Sequence, residues 1–227
     1  MENTEPRSRP VSEEGPYLRC AREELANTLT HGFGAILAIV GLVALVVVAS
    51  GRGAALQIVS YSIYGASLVF LYTASTCYHA AACDSLKRLF WRLDHVGISL
   101  LIAGTYTPFM LLNVRGAWGW TVLSLVWGLA ALGIIIRLCA RSRMTVLTTT
   151  IYLAMGWVVV IAAKPALDAI HPHGIAWLVA GGLAYTLGVI FFALERLPYN
   201  HTIWHLFVLG GSLCHFLAVL FYAMPPG

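Results

Sequence analysis

HGFGAILAIVGLVALVVVAS, residues His31–Ser50, runs for twenty positions without an Asp, Glu, Lys or Arg. As an α-helix rising about 1.5 Å per residue it covers roughly 30 Å, the thickness of a bilayer's hydrocarbon core. A barrel strand would alternate apolar and polar positions, and this run is solidly apolar, so its residues call for a membrane-spanning helix. Runs of the same kind recur near 57–79, 94–113, 118–136, 145–163, 174–195 and 202–222. Between them stand loop signals: SGRG (50–53), NVRG (113–116), RLCARSR (137–143), KPALDAIHPHG (164–174) and RLPYN (196–200). The expected fold is an all-α membrane protein, a bundle of seven transmembrane helices.

Only 11% of the 227 residues are charged, against about 25% in a soluble domain. The five cysteines, Cys20, Cys77, Cys83, Cys139 and Cys214, form no CxxC pair, which argues against a disulfide framework or a thiolate metal site. Residues 1–22, rich in Pro, Glu and Arg, read as a disordered cytoplasmic tail, and 23–227 as the seven-helix domain. The first apolar run starts too late for a cleavable signal peptide, so none is expected. No internal repeat is evident.

The basic residues set the orientation. Arg7, Arg9, Arg19, Arg22, Lys87, Arg88, Arg92, Arg137, Arg141, Arg143 and Arg196 fall on one side of the seven spans; Arg52, Arg115 and Lys164 fall on the other. Eleven against three predicts a cytoplasmic N-terminus and a C-terminus outside. The net charge of +4 is therefore read as a topology signal, and no nucleic-acid partner is expected.

With that orientation His31, His79, Asp94, His95, His201 and His205 all lie near the cytoplasmic ends of their helices. Ionisable groups inside a span face the bundle interior or water, and they mark a functional site by default. His201 and His205 are one helical turn apart and about 40° around the axis, a pair that can grip one metal ion. Zinc in a catalytic site takes three protein ligands and keeps a fourth position open. His79, at the same depth on another helix, is the natural third. Asp94 reads either as a member of this site or as the N-cap of the third span. His31 and His95 are expected to be helix-end histidines rather than primary ligands, and His171 and His173 to be solvated in an outer loop. His215, about 15 Å beyond His205 along the axis, cannot reach the same ion; it reads either as a hydrogen bond between helices or as functional. Ser75 shares a face with His79, where its hydroxyl can bond the carbonyl four residues back or serve the site. GTYTP (104–108) should kink the third span.

Four segments taken together resemble a known family: EELANTLTH (23–31), STCYHAAACDS (75–85), LDHVGISLLIAGTYTP (93–108) and HTIWHLFVLGGSLCHF (201–216). They are similar to the hemolysin III branch of the progestin and adiponectin receptor superfamily, which also looks related to alkaline ceramidases. The resemblance implies seven helices with a cytoplasmic N-terminus, in a bacterial inner (plasma) membrane. It implies Zn2+ held by His79, His201 and His205, water held by Asp94, and Ser75 as the serine of the SxxxH motif.

Three functions are compatible with these readings. The first is a zinc-dependent hydrolase of a lipid amide or ester, in which Asp94 moves the proton and Ser75 steadies the oxyanion. Its substrate, a membrane lipid, would enter laterally between helices. The second is a haemolysin-like pore with a structural zinc, and the third a lipid sensor without turnover. Polar residues gathered at one end of the spans favour the first over the pore. The sequence specifies neither the substrate nor the oligomeric state.

Overall fold

The structure is a computed structural model that describes residues 16–52, 55–139 and 145–223. Among the described residues all regular elements are helical: α1 (Pro16–Arg52), α2 (Ala55–Ala80), α3 (Asp84–Phe109), α4 (Gly116–Cys139), α5 (Thr145–Trp157), α6 (Ala163–Ala169), α7 (Pro172–Ala193) and α8 (Asn200–Tyr222). A 3₁₀ segment, Val158–Ala162, joins α5 to α6, and the three together make one crossing. Among the described residues seven segments are thus long and apolar enough to span a membrane.

Packing runs from neighbour to neighbour: α1 on α2, α2 on α3, α3 on α4, α7 on α8, and α8 back onto α1. In lipid there is no hydrophobic drive between helices, so close approach of backbones must supply the contact. Glycine allows it here. Gly174, Gly181 and Gly188, seven residues apart, form the buried stripe of α7. A Cβ at Gly174 would meet the Tyr222 side chain, one at Gly181 the His215 ring, and one at Gly188 Trp204 and Phe207. Between α2 and α3, a Cβ at Gly97 would lie 2.9 Å from the Leu71 Cα. That contact sets Asp94, one turn from Gly97, against Ser75, one turn from Leu71.

The GTYTP segment does two things. Pro108 has no N–H for the Gly104 carbonyl, and the disturbance shows as a π turn over Met110–Val114 directly after α3. Its Tyr106 repairs a second break. The Tyr106 hydroxyl donates to the Gly156 carbonyl at 2.9 Å and accepts from Val159 N–H at 3.1 Å, satisfying backbone groups freed where α5 gives way to the 3₁₀ segment.

Several expectations are corrected. Helix α3 begins at Asp84, ten residues before the expected 94, so Asp94 is no N-cap. Hydropathy marks where lipid begins, whereas a helix needs only its own backbone bonds and can start in water. For the same reason His31 and His95 are interior positions of α1 and α3 rather than helix-end residues. The segment 164–174, read as a loop, is helical as far as Ala169 and again from Pro172. Arg137, counted above as a loop charge, is a buried residue of α4, which leaves the basic asymmetry at ten against three. The expected tail lies outside the described residues over 1–15, and residues 16–22 open α1.

Candidate metal centre

His79 occupies the last turn of α2, and His201 and His205 the first two turns of α8. One ring nitrogen from each lies within 4.8 Å of the others, so the three can hold a metal ion together. Their rings converge at different tilts, with centroids 4.6–5.0 Å apart. His31, Asp94 and His95 are not part of this group.

Hydrogen bonds decide which nitrogen each ring offers. His79 Nδ1 donates to Glu24 Oε2 at 2.7 Å, since a carboxylate only accepts. In the neutral ring Nε2 is then the lone pair, and that atom is buried with no hydrogen-bond partner. A buried acceptor left in that state needs an explanation, and a cation beside it is one. The Thr30 hydroxyl proton goes to the Ala26 or Asn27 carbonyl, so Thr30 Oγ1 accepts from His205 Nδ1–H at 3.2 Å. His205 too is left offering Nε2. Neutral imidazoles held at Nδ1 and free at Nε2 suit zinc, so the residues present fit such an ion.

A second set of polar groups adjoins the histidines. Ser75 Oγ lies 2.7 Å from His31 Nδ1, and the Asp94 carboxylate lies against the Ser75 hydroxyl. When Asp94 is ionised it accepts, so Ser75 donates to it and His31 Nδ1–H donates to Ser75. The His31 ring stacks on His205 at 3.4 Å between centroids, which couples the two sets. Beyond Asp94, the Arg137 guanidinium lies 4.7 Å from the centre of the Trp91 ring and donates to Thr148 Oγ1 at 2.6 Å.

His201 and His205 of the first set and His31 and Asp94 of the second line a cavity of about 310 Å³ inside the bundle, bounded mainly by α3, α5, α7 and α8, while His79 and Ser75 stand behind them. Its walls away from the histidines are largely apolar, with Leu101, Ile102, Val189 and Val208 among them.

Comparison with known proteins agrees in extent with this arrangement. The family described as "Haemolysin-III related" matches residues 20–216. The chain belongs to the haemolysin-III-related family. Hemolysin-3 of Bacillus cereus is 48% identical to it over 204 residues, covering 90% of this chain and 93% of that protein. The Hemolysin-3 homolog of Bacillus subtilis (strain 168) is 43% identical over 203 residues, covering 89% and 95%. The monocyte to macrophage differentiation factor of Homo sapiens is 30% identical over 217 residues, covering 92% and 87%. No solved structure gives a significant match. With its seven spans and its bacterial relatives, the chain is a multi-pass integral membrane protein of the hemolysin III type.

Within this family member the structure brings one nitrogen each of His79, His201 and His205 within 4.8 Å of one another, and links Ser75 and Asp94 to them through His31, which stacks on His205. His95 faces the cavity, with Nδ1–H donated to the Trp91 carbonyl at 2.8 Å. His215 reaches the Leu178 carbonyl of α7 at 3.1 Å, so the interhelical hydrogen bond is present. His171 caps α7, accepting from His173 N–H. Sequence reasoning passed over Glu24, Thr30 and Arg137 as site neighbours. Glu24 and Thr30 were legible only as members of the EELANTLTH segment. Arg137 carried one overlooked signal, its place directly against the apolar run GLAALGIII.

Proposed function

We propose that the protein is a zinc-dependent hydrolase of a membrane-lipid amide or ester, with its site near the cytoplasmic face of the bacterial plasma membrane. The observation that carries this reading is the convergence of three histidines, two of which, His201 and His205, line an apolar cavity together with Asp94, itself against Ser75. His79, His201 and His205 would hold the zinc, a set of three rather than the closed set of four usual for structural zinc. Bound there, zinc supplies Lewis acidity, polarising a carbonyl and making water a nucleophile at neutral pH.

The chain's own groups do the rest. Asp94 accepts a proton from the attacking water and passes it to the departing amine or alcohol, as water oxygen bonds to the carbonyl carbon and the C–N or C–O bond breaks. Ser75 donates to Asp94 while that carboxylate is charged. Once Asp94 takes up the proton, the hydroxyl is released to donate to the oxyanion, held in place by His31. The apolar walls suit an acyl chain and exclude bulk water. They disfavour a pore, which needs polar groups along its whole length.

The test is to incubate the purified, zinc-loaded protein in lipid with ceramide-like amides and glycerol esters and to follow products by mass spectrometry. Release of free fatty acid is expected. Liposome leakage with no hydrolysis of any substrate would give precedence to the pore.

A further inference from the structure

The stretch Glu23–Thr30 of α1, about two to four turns into the helix, brings four polar side chains onto the metal centre from outside. Glu24 Oε2 accepts from His79 Nδ1–H of α2, while Glu24 Oε1 lies 3.4 Å from Lys87 Nζ of α3. Asn27 Oδ1 accepts the hydroxyl of Thr202, next to His201 on α8. Thr30 accepts from His205 Nδ1–H. Glu23 Oε1 accepts the N–H of Tyr199, which enters α8 with a left-handed φ of 57°. At 100° per residue, Glu24, Asn27 and Thr30 fall within an arc of about 120° on α1. One helix stripe, donating no ligand of its own, thus touches both elements that carry the histidines.

We propose that Glu24 is the positioning residue of this centre, fixing His79 as its Nδ1–H tautomer and aiming Nε2 at the ion; this rests on the metal reading above. A neutral histidine without a partner at Nδ1 distributes its proton over both nitrogens and rotates its ring. Both changes remove the lone pair from the site. At 2.7 Å the carboxylate opposes both, and its second oxygen lies 3.4 Å from Lys87 Nζ of α3, an ion pair that favours the same Glu24 rotamer. Asn27 and Thr30 act alike on α8, which makes α1 the template against which α2 and α8 are aligned. Outer partners of this kind change metal affinity by about 10–100-fold.

Two readouts on the full-length protein test the assignment. Zinc affinity is measured by chelator competition, and the His79 tautomer by ¹H–¹⁵N spectra of metal-free, histidine-labelled protein in detergent. Glu24→Ala should weaken zinc binding about 10–100-fold and replace the single Nδ1–H form of His79 by a mixture. Glu24→Gln keeps an acceptor at Oε1, so it should retain the tautomer and lose less affinity. If Glu24→Ala proves too unstable, Glu24→Gln against Glu24→Leu carries the same contrast. Unchanged zinc affinity, or an unchanged tautomer in the Ala variant, overturns the proposal. If the wild type binds no zinc, the metal reading fails by itself, and the tautomer spectra still decide what Glu24 does.

Discussion

Replacing Asp94 by Asn separates the work of the carboxylate from that of the histidines. Asp94 is buried against Ser75 and lies outside the group of nitrogens within 4.8 Å of one another. The Asn carbonyl still accepts from Ser75, so a charged hydrogen bond becomes a neutral one. The usual difference between the two is about 1 kcal/mol of stability. The proton acceptor, in contrast, is lost altogether. A general base contributes about 10²–10⁴-fold, or roughly 2.7–5.4 kcal/mol at 1.36 kcal/mol per decade. The loss of rate should therefore exceed any loss of stability several-fold, and zinc content should stay near wild type. Turnover is read by mass spectrometry of released fatty acid, and metal by elemental analysis of the same sample. Loss of zinc in Asp94→Asn would make the carboxylate a fourth ligand and the centre a closed, structural one. Full turnover with full zinc would remove Asp94 from the chemistry.

Two further outcomes are expected. Gly97→Ala forces a Cβ to within 2.9 Å of the Leu71 Cα, and overpacking of this sort costs about 1–3 kcal/mol. It should lower the melting temperature and slow turnover while leaving zinc in place, because the contact aligns Asp94 with Ser75 and no ligand sits on α3; a melting temperature equal to wild type would show that α2 and α3 part freely. A reporter fused after Gly227 should read as periplasmic, as the ten-to-three basic asymmetry requires, and a cytoplasmic signal would place the histidines on the opposite face of the membrane.

The seven crossings and the histidine triad were legible because each leaves a local mark. Twenty apolar residues are long enough to see in one window, and His201 and His205 are a single turn apart. Ser75 and His79 were visible for the same reason. What stayed hidden depends on long-range contact. Glu24 meets His79 across 55 positions, and nothing around Glu24 distinguishes it from Glu23. Arg137 resembles the other arginines of its segment until the structure shows Trp91 under its guanidinium and Thr148 at its Nη2. The start of α3 was misplaced because DSLKRLFWRL is too charged for lipid yet folds as helix ahead of the apolar stretch. Hydropathy marked the apolar stretches, and only the backbone bonds located the helices.

Metal content shows whether His79, His201 and His205 hold one zinc ion between them. Protein purified without added chelator should carry about one zinc per chain. The double variant His201→Ala/His205→Ala leaves His79 alone and should carry almost none, with its helical content unchanged by circular dichroism. Zinc retained in full by the folded double variant would mean that these histidines do not hold the ion.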